Sequence, residues 1–213
     1  MSVSDEQRVQ LSGPAGALEA RFTAAPGAGG RVAVICHPHP LHGGSMDNKV
    51  VTTLYRDWRD HGLAVLRFNF RGVGASAGRH AHGEGEVDDL RAVLEWLVTA
   101  QGASRLLLGG FSFGAWVAAV AAERLSPGLA LERLVLVAPP VHYPGFAALQ
   151  PPPGTLVAQA DDDEVVDAAA VAAWAASRQR PPELVRLDKA GHFFHGRLGE
   201  LKAELAARLF PGQ

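Results

Sequence analysis

The alternation of buried strands with amphipathic helices predicts an α/β fold with a doubly wound, mostly parallel sheet. Continuous apolar runs such as 31–36 and 134–138 are typical of strands that are covered on both faces of a sheet. Helical patterns with one apolar stripe separate these runs, and no linker, repeat or change of composition interrupts them. A length of 213 residues suits one such unit, so we expect residues 1–213 to form a single domain.

The first half of the chain begins with residues 1–10, a polar stretch that we expect to be frayed or to form an edge segment. Residues 18–22 alternate between apolar and polar side chains, as in a half-exposed strand. The patterns then predict, in order, a strand at 31–36, a helix at 45–61, a strand at 63–70 and a helix at 84–100. In the helix predicted at 84–100, the acidic residues of the first turn favour a helix N-terminus at that point.

The second half begins with an apolar strand at 106–108 that runs into a glycine-rich turn and a helix of small residues at 116–122. The remaining patterns predict a strand at 134–138, a proline-rich loop at 139–154, a strand at 155–160, a helix at 167–178, a strand at 183–187 and a helix at 196–209. Because ligands of this architecture bind at the carboxyl ends of the strands, we expect the functional residues in the loops that follow strands.

Charge and composition argue against several classes of partner. The net charge is −2 and is spread without blocks, which argues against a nucleic-acid surface. Cys36 is the one cysteine, so no internal disulfide is possible, and a reducing compartment fits. No apolar run is long enough to span a membrane, and the first ten residues do not resemble a signal peptide. We therefore expect a cytoplasmic protein without membrane or nucleic-acid partners.

The glycine-rich turn at 110–114 has the pattern Gly-x-Ser-x-Gly, which places Ser112 on a sharp turn between a strand and a helix. The flanking Gly110 and Gly114 are needed where the backbone approaches too closely for a Cβ atom. The start of the following helix brings free N–H groups and a positive dipole end next to the hydroxyl. These features predict a nucleophile elbow with Ser112 as the nucleophile.

A serine hydroxyl needs a base to take its proton, and three histidines follow Ser112 in the chain. His142 lies in the proline-rich loop, whereas His192 and His195 follow the last predicted strand. The loop after the last strand is where this architecture places its base, so we predict His192 for that role and expect His195 to open the final helix.

The base needs an acid to orient it, and four acidic residues end the strand at 155–160. They are Asp161, Asp162, Asp163 and Glu164. In this architecture the chain order is serine, acid, histidine, so we expect one of the four to face His192.

An oxyanion hole needs two N–H donors. One is predicted at Phe113, directly after the nucleophile, and the second in the loop after the first buried strand. Pro38 and Pro40 have no N–H group, which leaves His39 or Leu41, and we favour His39.

The same loop permits a competing hypothesis, in which His37, His39 and His42 bind a metal ion. No carboxylate completes the set conveniently, because the nearest one, Asp47, is expected to start a helix. We therefore predict no metal and no cofactor.

Four motifs in this sequence resemble those of the α/β-hydrolase superfamily. They read HPHPLHGGSMDNKVV at 37–51, RFNFRGVGAS at 67–76, GFSFG at 110–114 and HFFH at 192–195. More narrowly, they are similar to those of small bacterial serine hydrolases that are related to dienelactone hydrolases and lack a lid. The resemblance extends over about residues 15–210.

By motif position, the resemblance implies that Ser112 is the nucleophile, His192 the base and Asp163 the acid. Ala160 stands where the family usually has glycine, three residues before the acid, so Asp162 stays a second candidate. Asn69 also replaces an aspartate that is common in the 67–76 motif, without consequence for these three residues.

We therefore expect a serine hydrolase that cleaves small ester or thioester substrates through an acyl-enzyme. The short proline-rich loop at 139–154, where lids of this fold are inserted, predicts an open site. Its expected walls are Leu41, Phe111, His142, Tyr143 and Phe194. An acyltransferase or peptidase with the same three residues, a metal-dependent hydrolase, and a non-catalytic binding protein on this fold are the alternatives.

Overall fold

The computed structural model describes residues 5–212, and its centre is an eight-stranded sheet with the strand order β1-β2-β4-β3-β5-β6-β7-β8. The strands are β1 Gln7–Gly13, β2 Gly16–Thr23, β3 Arg31–Cys36, β4 Ala64–Phe68, β5 Arg105–Phe111, β6 Ala130–Val137, β7 Leu156–Ala160 and β8 Glu183–Leu187. The helices are α1 Lys49–Asp60, α2 Glu84–Gln101, α3 Phe113–Ala122, α4 Ala168–Ala176 and α5 Leu198–Leu209. The α/β class that the sequence predicts is confirmed.

Parallel pairing extends from β4 through β3, β5, β6 and β7 to β8, whereas β1 and β2 pair antiparallel at one edge. Of the two alternatives for residues 1–10, the edge segment is confirmed for 7–10, which pair with β2 as an edge strand, because a main-chain ladder needs no apolar side chains. Residues 1–4 lie outside the described part of the chain.

Helices cover both faces of the sheet, and neighbouring strand residues point to opposite layers. On β3, Val34 packs into the layer formed with α2, α3 and α4, while Ile35 packs into the layer formed with α1 and α5. Both side chains are fully buried. This two-sided burial explains why the parallel strands read as continuous apolar runs.

Two helices begin later than the sequence predicts, and for the first of them a capping side chain sets the start. The Asn48 side chain accepts the Val50 N–H at 2.9 Å, so α1 begins at Lys49. Asp47, expected to start this helix, instead forms an ion pair with Arg67. His195, expected to open the last helix, lies before Arg197, the residue that precedes α5.

The segment between β6 and β7 contains one short 3₁₀ turn, Phe146–Ala148, and no lid domain interrupts the described residues at this point. Within residues 5–212, no helix is long and apolar enough to cross a membrane.

Candidate active site

Ser112 lies between the last residue of β5 and the first residue of α3, with φ 55° and ψ −120°. This conformation is rare for a residue with a side chain and is retained only where the surroundings enforce it. A Cβ atom on Gly110 would lie 2.1 Å from the carbonyl oxygen of Gly114, and one on Gly114 would lie 2.4 Å from that of Cys36. The two glycines therefore permit the close backbone approach that holds the turn.

His192 follows β8 and lies directly beside this turn. Its Nε2 atom is 3.0 Å from Ser112 Oγ, and its ring lies 5.0 Å from the Phe111 ring, which is fully buried. The exposed fraction of the residue is only 3%. The imidazole is thus fixed by packing at hydrogen-bond distance from the hydroxyl.

The loop that follows β7 contains Asp163, and it brings this carboxylate to the ring nitrogen of His192 that does not face Ser112. His192 Nδ1 is 2.9 Å from Asp163 Oδ2, and Asp163 Oδ1 accepts the N–H groups of Val165 and Val166, each at 2.8 Å. Burial raises the pKa of this carboxyl, but the hydrogen bonds from His192, Val166 and Val165 together hold it below its ordinary value. An ionised Asp163 accepts a hydrogen bond from Nδ1–H, which keeps that proton on Nδ1 and leaves Nε2 free to accept the Ser112 hydroxyl proton.

The other acidic residues of this loop are placed elsewhere. Asp162 is exposed, and Asp161 forms an ion pair with Arg186 at 2.7 Å. Glu164 accepts the main-chain N–H of His192 at 3.0 Å, a contact that sequence reasoning missed. This hydrogen bond lowers the pKa of Glu164, so two neighbouring acids hold the ring and the backbone of the same histidine.

The two predicted oxyanion donors come from different segments of the chain near the serine. Phe113 is the first residue of α3, and its N–H has no hydrogen-bond partner within the described chain. The loop after β3 places His39 in the wall of the depression that contains Ser112. The alternative donor, the Leu41 N–H, is already bonded to His39 Nδ1 at 3.2 Å, which favours His39 over Leu41.

The depression in front of Ser112 has a volume of about 310 Å³, and five residues were predicted as its walls. His142 and Tyr143 do line it. Leu41, Phe111 and Phe194 do not, and these three predictions are wrong. Leu41 is exposed on the surface, whereas Phe111 and Phe194 have no exposed area and belong to the core beneath the site.

Phe193 takes the place that was predicted for Phe194. Phe194 adopts a φ of 51°, which turns its side chain into the core and leaves the preceding phenylalanine at the surface with 39% exposure. The sequence contains no signal for this exchange, because both neighbours are phenylalanines. The other wall residues that were not predicted are Pro38, His42, Gly43, Gly44, Asn48, Pro140, Val165 and Val166.

His37 has both ring nitrogens engaged by the backbone, which argues against the metal hypothesis. Phe70 donates its N–H to Nε2 at 3.0 Å, and Nδ1 lies 2.6 Å from the carbonyl oxygen of Pro38. Within residues 5–212, no group of three or more His, Cys, Asp or Glu side chains is placed to hold a metal ion. The histidine that opens the HPHP motif therefore ties the loop after β3 to the loop after β4.

Burial lowers the pKa of His37 to about 4, well below its ordinary value, and this shift makes stability depend on pH. Between about pH 6.5 and pH 4 the unfolded chain binds a proton at this site that the folded protein excludes. Acidification through this interval is therefore expected to remove about 3 kcal/mol from the unfolding free energy. Urea denaturation of wild type and His37→Asn at pH 7 and pH 4 measures the difference. Parallel losses in the two proteins would contradict the assignment.

Comparison with known proteins agrees with this architecture. Residues 39–153, more than half of the chain, match a family model described as serine aminopeptidase, S33. The chain therefore belongs to this family and to the α/β-hydrolase superfamily that contains it.

Particular relatives resemble three quarters or more of the chain. A serine hydrolase without a lid from Xanthomonas campestris is 41% identical, covers 98% of this chain and 97% of its own, and superposes with a TM-score of 0.88. A serine hydrolase homologue from Coxiella burnetii is 45% identical, with 99% of both chains covered and a TM-score of 0.88. An uncharacterized protein of Rickettsia prowazekii is 40% identical over 167 residues, which are 76% of this chain and 68% of that protein.

Proposed function

We propose that this protein hydrolyses small ester or thioester substrates through a covalent acyl-enzyme on Ser112. The observation that carries the proposal is the hydrogen-bonded series in which Ser112 Oγ, the His192 ring and the Asp163 carboxylate follow one another at 3.0 and 2.9 Å. A hydroxyl, an imidazole and a buried carboxylate in this order form the arrangement that activates a serine.

In the first half of the reaction, Ser112 Oγ attacks the carbonyl carbon while His192 Nε2 takes the hydroxyl proton. Asp163 accepts the Nδ1–H hydrogen bond and stabilises the imidazolium that forms. The N–H groups of Phe113 and His39 bind the oxyanion of the tetrahedral intermediate. When the intermediate collapses, the alcohol or thiol leaves with the proton from Nε2 and the acyl group stays on Oγ.

In the second half, His192 removes a proton from a water molecule that attacks the acyl carbonyl. The same two N–H groups bind the second oxyanion, and the acid is released as Ser112 recovers its proton from His192. Proton transfers in both halves pass through one imidazole, so its hydrogen bond to Asp163 is needed in each.

The dimensions of the depression support short acyl groups. Its volume of about 310 Å³ is at the lower end for ligand pockets, and in the described chain no lid extends over it. Exposed apolar side chains at its rim, Val165 and Phe193, provide limited contact for a longer chain.

An aminopeptidase is the second candidate, because the family that matches carries that description. Such an enzyme must bind the protonated amino terminus of its substrate, which calls for a carboxylate or an array of carbonyls in the pocket. No Asp or Glu side chain is among the wall residues of the depression in the described chain. Asp163 is already engaged by His192 and two backbone N–H groups. The site therefore favours neutral esters over peptides.

A series of p-nitrophenyl esters with acyl chains from acetate to dodecanoate separates these candidates, with aminoacyl p-nitroanilides measured in parallel. We expect kcat/KM to be highest for the shortest acyl groups, with little cleavage of the anilides. If the anilides were cleaved in preference to the esters, the aminopeptidase would replace the esterase as the proposed function. A complete lack of turnover in both series, together with no acylation of Ser112, would support a binding protein on the same fold.

A further inference from the structure

The loop between β4 and α2 brings a second histidine and a buried carboxylate to the oxyanion side of the site. Glu86, in the first turn of α2, has no exposed area, and His80 Nδ1 lies 2.9 Å from its Oε1 atom. The same carboxylate accepts the N–H of Ala81 at 3.0 Å and that of Gly83 at 2.7 Å. The proposed reaction uses neither His80 nor Glu86.

Three aromatic rings meet at this place. The His39 and Phe113 ring centroids are 4.9 Å apart, and the His80 ring lies 4.9 Å from the first and 5.8 Å from the second. The side chain of His80 is 9% exposed and packs against both of the other rings. These two are the residues whose main-chain N–H groups are the proposed oxyanion donors.

The segment that carries His80 is held from both sides. Glu86 fixes it to α2, and Trp116 of α3 lies over Gly83 so closely that a Cβ atom there would be 2.1 Å from the indole ring. Hydrogen bonds from two N–H groups outweigh the burial that raises the pKa of Glu86, so its carboxyl titrates below the ordinary value and stays charged. The His80 ring is thus supported by an anchored segment.

We infer that His80, carried on a segment that Glu86 anchors through the Ala81 and Gly83 N–H groups, is a positioning residue that sets the distance between the His39 and Phe113 N–H groups. This inference rests on the proposed function, because it assigns a role in stabilising an oxyanion. Donors must lie within a few tenths of an ångström of their best positions to stabilise the transition state, and the two donors belong to separate loops. The His80 ring contacts the side chains of both donor residues and so adds to the direct packing between the two segments.

Replacement of His80 by alanine tests this role through a reversible probe of the oxyanion hole. A small aliphatic trifluoromethyl ketone adds to a serine hydroxyl and leaves an oxyanion between the donors. In His80→Ala, kcat for p-nitrophenyl acetate is expected to fall about 10- to 100-fold, while KM changes by less than about twofold. The inhibition constant of the ketone should rise by the same factor as kcat falls.

Two further variants distinguish ring packing from general damage. His80→Phe keeps a planar ring in this space and is expected to retain kcat within about threefold of wild type. His82 is an exposed neighbour with a φ of 54°. The His82→Asn substitution removes the imidazole, and asparagine tolerates this backbone conformation. The His82 variant should behave as wild type in all three measurements.

A folded His80→Ala protein with wild-type kcat would overturn the inference, and so would a His80→Phe protein as impaired as the alanine variant. If His80→Ala does not fold, His80→Leu replaces it, since leucine fills the space without a planar ring. A lower kcat with unchanged KM then supports the role, and an unchanged kcat overturns it. If wild type turns over no ester, the proposed function is wrong and this inference is wrong with it. If wild type is active and the His80 variant has the same kcat, the inference is wrong but the proposed function stands.

Discussion

Ser112→Ala is expected to lower kcat/KM for p-nitrophenyl acetate by at least about 10⁴-fold, because no other group can form the acyl-enzyme. The loss should appear in kcat, since the hydroxyl contributes little to binding of the ester. The thermal midpoint should change little, because alanine removes a single hydroxyl at the edge of the depression and retains the same backbone. Steady-state kinetics and thermal denaturation of the two proteins measure both effects.

A fluorophosphonate probe provides an independent measurement of the same residue. Intact-mass analysis and peptide mapping should locate one adduct on Ser112 in wild type and none in Ser112→Ala. Ser126→Ala is the matched control, because it makes the same substitution in the turn that follows α3. This control should react and turn over substrate as wild type does. Labelling of another residue, or turnover that persists without the Ser112 hydroxyl, would refute the acyl-enzyme proposal.

Asp163→Asn is expected to lower kcat by about 10⁴-fold while the fold is retained. Oδ1 accepts two main-chain N–H groups, so an asparagine oxygen would occupy that position and its amide nitrogen would face His192 Nδ1. The imidazole would then carry its proton on Nε2 and could not accept the Ser112 proton. The amide nitrogen would also meet the Gln159 Nε2 donor, which lies 3.0 Å from Oδ2.

Asp162→Asn is the control for this substitution, because it changes the neighbouring exposed carboxylate in the same way. We expect its kcat to remain within about twofold of wild type, since the charge is exposed and screened by solvent. Kinetics of both variants at pH 8 make the comparison. If both variants lost the same amount of kcat, or if only Asp162→Asn lost activity, the assignment of Asp163 as the acid would be wrong.

Sequence reasoning located the sheet well, because strands that are buried on both faces must be apolar throughout. Most of β3 to β7 followed from that requirement, and the helices between the strands followed from their single apolar stripes. The glycines of the elbow were equally predictable, since only a residue without Cβ fits where Gly110 and Gly114 approach other backbone atoms. Where backbone segments pack closely, the sequence therefore shows glycine at the points of contact, and the elbow could be predicted from it.

The walls of the depression were harder to predict, because they depend on main-chain angles that no pattern reveals. Two adjacent phenylalanines, Phe193 and Phe194, exchange their expected places owing to a single positive φ. Similarly, Asp163 and Glu164 are both acids after one strand, yet one contacts the ring of His192 and the other its backbone. Residue type predicted that acids would lie near His192, and only coordinates distinguish their individual contacts.

Of the strands, β8 has a particular consequence, because it bonds to β7 on one side and to no other strand of the described chain. The proposed base lies in the loop that follows this margin of the sheet, while the nucleophile follows the central strand β5. Subglobal opening that detaches β8 would separate the imidazole from the hydroxyl and leave the rest of the sheet paired. Turnover therefore requires that β8 stays paired with β7. Under mild denaturing conditions, activity should be lost while the amide protons of β5 are still protected from exchange.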